Sequence, residues 1–187
     1  MTMQDYHEFL KEILIDGKTL QKRISELGVE ISRDYKERDL HLICILRGGV
    51  LFLADLIRHI TIPHTMDFMA VSSYGSGARQ STGHIRITYD LQSAIEDREV
   101  LLVEDIVDSG YTIASVLEML EIRRPRSLRV CALLNKAERR EVMVPIDYCG
   151  FTIPDKFVFG YGLDMDEYYR NLPFIGTVDL SRYQSPS

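Results

Sequence analysis

The sequence predicts an α/β fold, a mainly parallel sheet flanked by helices, with a small cap subdomain and one flexible loop. Three observations carry this. Continuous apolar runs at 41–46 (HLICIL), 65–73 (TMDFMAVSS), 98–107 (REVLLVEDIV) and 127–136 (SLRVCALLNK) alternate with helix-like segments, as strands buried on both faces of a parallel sheet require. Arg47, Asp108 and Lys136 each follow such a run directly, where open sheets of this kind place their active sites. At 187 residues the chain is long enough for one buried core and short for two.

Taken in order, the first forty residues read as two helices. Phe9, Leu10, Ile13 and Leu14, then Leu20, Ile24, Leu27 and Ile31, recur at helical spacing with charges between them. The strand at 41–46 runs into an Arg-Gly-Gly turn and a helix from about 50 to 59. After the strand at 65–73, SYGSGARQSTG (73–83) is too polar and too rich in Gly and Ser to pack, and reads as a mobile loop. IRITYD (85–90) alternates like a half-exposed strand. The strand at 98–107 leads through a loop at Asp108, Ser109 and Gly110 into a helix ending near Leu120, and 127–136 is the next strand. Short strand-like pieces at 148–153, 157–162 and 174–178, broken by Pro145, Pro154 and Pro173, form the cap. The expected organisation is one domain over 1–187, with its core at about 37–140 and the cap drawn from about 1–15 and 145–187.

The net charge of −6 argues against a general nucleic-acid or anionic-membrane binder, which needs a basic face. The opening MTMQDYHEFLKEIL is acidic where a secretory signal needs a positive start and an apolar core. The longest apolar region, 42–57, is broken by Arg47, two glycines and Asp55, so no membrane span is expected. Cys44, Cys131 and Cys149 lack metal-ligand spacing, and the first two sit inside apolar runs as small buried thiols. A cytoplasmic location is expected.

Residues 100–112, VLLVEDIVDSGYT, carry the chemistry. A strand buried on both faces delivers Glu104 and Asp105 to its end, where burying them unpaired is costly; ribose hydroxyls or a magnesium ion would serve as partners. Asp108, Ser109, Gly110, Tyr111 and Thr112 then open a helix. A Ser/Gly turn at a helix start offers free N–H groups and hydroxyls to an anion, the geometry of a phosphate cradle. Sugar-binding acids a few residues before a phosphate loop match a ribose 5-phosphate. Competing phosphate motifs, G-x-x-x-x-G-K-[ST] and G-x-G-x-x-G, are absent from the sequence.

This run resembles the phosphoribosyl diphosphate signature of the type I phosphoribosyltransferases, in particular the hypoxanthine-guanine branch. LRGG (46–49), SSYG (72–75), LLNK (133–136) and GFTIPDKFVFGYGLDMDEYYRNLPFIG (150–176) extend the resemblance, in order, from about residue 42 to 176. The resemblance implies the type I fold with a hood (the cap) and a flap, and the transfer of a phosphoribosyl group to a 6-oxopurine, with Mg2+ and release of diphosphate. It implies that Glu104 and Asp105 hold the ribose hydroxyls and the metal environment, that Asp108 is the catalytic acid/base near N7, and that Ser109, Gly110, Tyr111 and Thr112 grip the 5′-phosphate. It gives the purine to Lys136 (at O6), Phe157 (stacking), the Val158 backbone and Asp164, which also serves the metal through water. Arg47, Gly48 and Arg170 fall to the diphosphate, and Ser73 and Tyr74 to the flap. The partners implied are the purine base and phosphoribosyl diphosphate, with a homodimer or homotetramer as the assembly.

Two positions depart from the pattern: Arg47 stands where lysine is frequent, and Asn135 precedes Lys136 where an acid is usual. A regulator that senses phosphoribosyl diphosphate and binds DNA or RNA would need a basic surface. A pyrimidine enzyme would lack the Lys136 and Phe157 pattern, and a xanthine enzyme would depart through the hood. Preference between hypoxanthine and guanine turns on backbone carbonyl directions, which sequence does not supply.

Overall fold

A computed structural model describes residues 4–73 and 85–185. In chain order the elements are α1 (Tyr6–Phe9), β1 (Leu10–Ile15), α2 (Gly17–Asp34), β2 (Leu40–Leu46), α3 (Val50–Leu56), β3 (His64–Ser73), β4 (Ile85–Tyr89), β5 (Glu99–Val107), α4 (Tyr111–Glu121), β6 (Ser127–Asn135), β7 (Tyr148–Thr152), β8 (Val158–Phe159) and β9 (Ile175–Val178). Six strands form one sheet in the order β4-β3-β2-β5-β6-β7, parallel except for the β3–β4 pair; β1, β9 and β8 form a separate antiparallel sheet.

The apolar runs divide by strand periodicity. Leu42, Cys44, Leu101, Val103, Cys131 and Leu133 face α2 and α3, meeting Leu20, Ile24, Leu27, Ile31, Phe52, Leu53 and Leu56. Ile43, Ile45, Val100, Leu102, Val130 and Ala132 point to the other face, against Ile113, Val116 and Leu120 of α4. Each Val, Leu, Ile and Phe among them contributes about 1.5–3 kcal/mol relative to exposure, so the ends of β2, β5 and β6 are fixed supports. Cys44 and Cys131 are buried free thiols, as expected. No helix among the described residues is long and apolar enough to cross a membrane.

Three sequence readings are corrected. The first predicted helix does not form: only Tyr6–Phe9 makes a turn, and Leu10–Ile15 is a strand antiparallel to β9. Its apolar residues fit a short helical stripe, but a partner from the far end of the chain decides for strand. Asp16 then caps α2, accepting from the Thr19 N–H at 3.0 Å. Second, Tyr148–Thr152, assigned to the cap, pairs parallel with β6 and closes the main sheet. Its shortness and flanking prolines imitate cap structure, whereas the open edge of β6 gives it a place. The predicted strand over 157–162 is in fact two residues of β8 followed by turns.

Candidate active site

β5 ends on two acids in a place that resists charge. Glu104 is buried, and desolvation, reinforced by the neighbouring Asp105 carboxylate, raises its pKa well above the ordinary carboxylate range. Burial pushes Asp105 up to about 6, against the Ile106 N–H, which donates at 2.8 Å, and the Arg170 guanidinium. The Glu104 Oε2 atom is buried with no hydrogen-bond partner among the described residues, a costly state that a ligand would relieve.

Close approach explains two glycines here. A Cβ on Gly48 would overlap the Asp105 Oδ2, and one on Gly162, whose φ is +94°, would overlap the Gly48 carbonyl. The β2 turn therefore lies against the β5 acids, and the hood loop lies on that turn. The Leu46–Arg47 peptide is cis.

Beyond β5, Asp108, Ser109 and Gly110 form a tight loop, with Gly110 at φ +96° capping α4. A Cβ at Gly110 would overlap the Val142 carbonyl, so both backbone angle and space select glycine. A cavity of about 110 Å³ opens here, lined by Glu104, Asp108, Ser109, Gly110 and Thr112 among others. Tyr111, half-buried, begins the helix.

Lys136 follows β6 and is buried, with Nζ 3.7 Å from Asp108 Oδ2 and 3.8 Å from Asp155 Oδ1. Arg139 completes a four-charge cluster, its Nε 3.2 Å from Asp108 Oδ1 and its Nη1 3.7 Å from Asp155 Oδ1. Asn135 points away from Lys136, as successive residues of a strand do; its Oδ1 accepts from Arg140 Nη2 at 2.6 Å. Phe157 is 49% exposed, unusual for a Phe in this chain, while the adjacent Val158 is buried.

Arg47 and Arg170 share one acid. Glu167 Oε2 lies 3.0 Å from Arg47 Nη1 and 3.1 Å from Arg170 Nη2. Arg170 also reaches Asp164 Oδ1 at 3.0 Å and donates to the Gly162 carbonyl at 2.8 Å; Asp164 Oδ2 accepts from the Glu167 N–H at 2.9 Å. Asp166, Glu167 and Tyr169 have left-handed backbones. Among the described residues, no three acids, histidines or cysteines converge into a metal cage. The unpartnered Glu104 Oε2, with the neighbouring Asp105 carboxylate, is the kind of oxygen donor that a hard cation such as Mg2+ would take while keeping its other ligands from a substrate and water.

The sequence-derived residues at the ends of β2, β5 and β6 thus meet around one site. Ser73 ends β3, and Tyr74 lies outside the described residues. Sequence reading missed Arg139, Asp155 and Glu167. The KAERR and IPDK runs beside Lys136 and Phe157 were the available signals, but exposed charges usually pair without consequence.

Residues 12–166 match the phosphoribosyl transferase domain family. The chain is 50% identical over 181 residues to the hypoxanthine-guanine phosphoribosyltransferase of Mycobacterium avium, covering 94% of this chain and 89% of that protein. It is 47% identical over 171 residues to the hypoxanthine phosphoribosyltransferase of Escherichia coli, covering 90% and 96%. The crystal structure of a hypoxanthine phosphoribosyltransferase from Staphylococcus aureus matches with a TM-score of 0.92 at 42% identity, over 98% of this chain and 100% of that one.

Proposed function

The chain belongs to the hypoxanthine-guanine phosphoribosyltransferases of the phosphoribosyl transferase family, and from that premise we propose that it serves purine salvage by moving the 5-phosphoribosyl group of phosphoribosyl diphosphate onto hypoxanthine or guanine. The products are IMP or GMP and diphosphate. The carrying observation is Lys136, a buried ammonium between Asp108 and Asp155, beside the loop that opens α4.

The 5′-phosphate sits on Ser109, Gly110, Tyr111 and Thr112, where the start of α4 presents backbone N–H groups and hydroxyls. Glu104 and Asp105 take the ribose hydroxyls, which supply the donor that Glu104 Oε2 lacks. Lys136 donates to O6 of the base, so a 6-amino purine would set donor against donor. Phe157 stacks on the ring, with the Val158 backbone and Asp164 at its edge. Asp108 receives the proton that the base loses at N7 as N9 attacks the anomeric carbon. Arg47, Gly48 and Arg170 hold the departing diphosphate. Glu104, Asp105 and Asp164 would hold Mg2+, which would supply charge neutralisation for that leaving group. A homodimer or homotetramer is the assembly that accompanies this reading, measurable by light scattering.

The test is an ultraviolet assay of hypoxanthine, guanine, xanthine, adenine and uracil, each with phosphoribosyl diphosphate and Mg2+. Turnover of hypoxanthine or guanine without adenine is expected. Turnover of uracil alone, or of no base, would overturn the proposal.

A further inference from the structure

We propose that Arg140 is the positioning residue of the 5′-phosphate cradle, a role that rests on the reading of residues 108–112 above. Three successive carbonyls, those of Val107, Asp108 and Ser109, are captured by the segment at 136–142. Lys136 N–H donates to Val107 O at 3.0 Å, and the Glu141 and Val142 N–H groups donate to Ser109 O at 2.9 and 3.0 Å. The Asp108 carbonyl has no backbone donor among the described residues. It accepts from Arg140 Nε at 3.1 Å, while Nη2 of the same guanidinium reaches Val107 O at 3.3 Å and Asn135 Oδ1 at 2.6 Å.

Peptide planarity turns this into a statement about the anion site. The Asp108 carbonyl and the Ser109 N–H belong to one rigid unit and point in opposite directions. Holding the carbonyl against Arg140 therefore aims the Ser109 N–H away from the 136–142 segment. The neighbouring units, fixed by backbone donors, aim the Asp108 and Gly110 N–H groups in the same manner. Arg140 is the side chain that secures the middle unit. A flip of that unit would present a carbonyl oxygen to a phosphate.

Two further features fit. A Cβ on Gly110 would come within 3.1 Å of Arg140 Cδ, so the stem of Arg140 packs on the glycine that starts α4. The guanidinium is half-buried, makes no ion pair among the described residues, and has only neutral oxygens as direct acceptors. Its charge thus stays uncancelled by contact behind an anion site, where it favours a phosphate.

Arg140→Gln and Arg140→Lys would be compared with the unaltered chain by calorimetry with IMP and with ribose 5-phosphate, and by inhibition with diphosphate. Arg140→Gln should weaken IMP and ribose 5-phosphate tenfold or more while diphosphate inhibition stays within twofold. Arg140→Lys, which keeps the charge but reaches fewer acceptors, should recover part of the loss. Unchanged IMP affinity in folded Arg140→Gln would overturn the proposal. So would an equal loss for diphosphate, the mark of general loosening. If Arg140→Gln does not fold, Arg140→Lys decides: a three- to tenfold weaker IMP confined to the phosphorylated ligands supports the role, and unaltered affinity refutes it. No IMP binding by the unaltered chain would instead overturn the proposed function itself.

Discussion

The half of the site proposed for the ribose phosphate and the half proposed for the diphosphate and base are held by different forces. The first stands on β5 and β6, where buried strands fix the backbone, Gly48 and Gly110 admit close approach, and two acids are forced into low-dielectric surroundings. The second is held by ion pairs that are at least partly exposed except at the buried Lys136: Lys136 and Arg139 with Asp108 and Asp155, and Arg47 and Arg170 with Glu167. Buried geometry is set in advance and keeps its shape. Exposed ion pairs are each worth about 0–1 kcal/mol, so a substrate can replace them at small cost. In the proposed reaction the ribose and its phosphate, which stay bound from substrate to nucleotide product, thus meet rigid backbone, while the base that joins and the diphosphate that departs meet exchangeable charges.

The largest test of this contrast falls where the halves touch. Asp108→Asn keeps the loop and removes the acid/base, so kcat should fall by about a hundredfold or more while IMP affinity changes only a few-fold. Single-turnover kinetics and calorimetry read the two separately, and an unchanged kcat would remove Asp108 from the proton transfer.

The next effect concerns the rigid half. The folded pKa of Asp105, about 6, lies above its ordinary 3.8. Folding therefore favours the protonated form: the stability that goes with it is present below about pH 4 and is lost as pH rises through 6. Asp105→Asn, which cannot ionise, should melt about 6–12 °C higher at pH 8, since two pKa units correspond to about 3 kcal/mol. The gap should close between pH 6 and 4, with activity lost throughout. A gap that does not move with pH would show that buried charge is not the cause.

The smallest effect belongs to the exchangeable half. Glu167→Gln frees Arg47 of its counter-ion and leaves Arg170 paired with Asp164 alone, and the KM for phosphoribosyl diphosphate should fall by about two- to fivefold. A rise would mean that Glu167 holds those cations in place instead of competing for them.

Legibility in the sequence follows the same division. The strand at 98–107 and the loop at Asp108, Ser109 and Gly110 were readable because burial on both faces demands a continuous apolar run, and a left-handed helix cap demands glycine. Arg139, Asp155, Glu167 and Arg140 were not readable. Charged residues in short connecting segments have many possible partners, and their partners here come from separate strands and turns. Leu10–Ile15 was misread for a related reason: six residues are too few to separate helical from strand periodicity when the deciding neighbour, Ile175–Val178, lies at the other end of the chain.

The sequence by itself determined the mainly parallel sheet, its buried central strands and the arrival of two acids and a glycine loop at residues 104–110, since these rest on local pattern and on the cost of burying polar groups. Only the tertiary structure decided that Tyr148–Thr152 closes the main sheet, that Gly48 must lack a side chain because Asp105 lies against it, and that one arginine holds the Asp108 carbonyl. Each of these is a contact between distant parts of the chain, and such contacts exist only once the strands have brought those parts together.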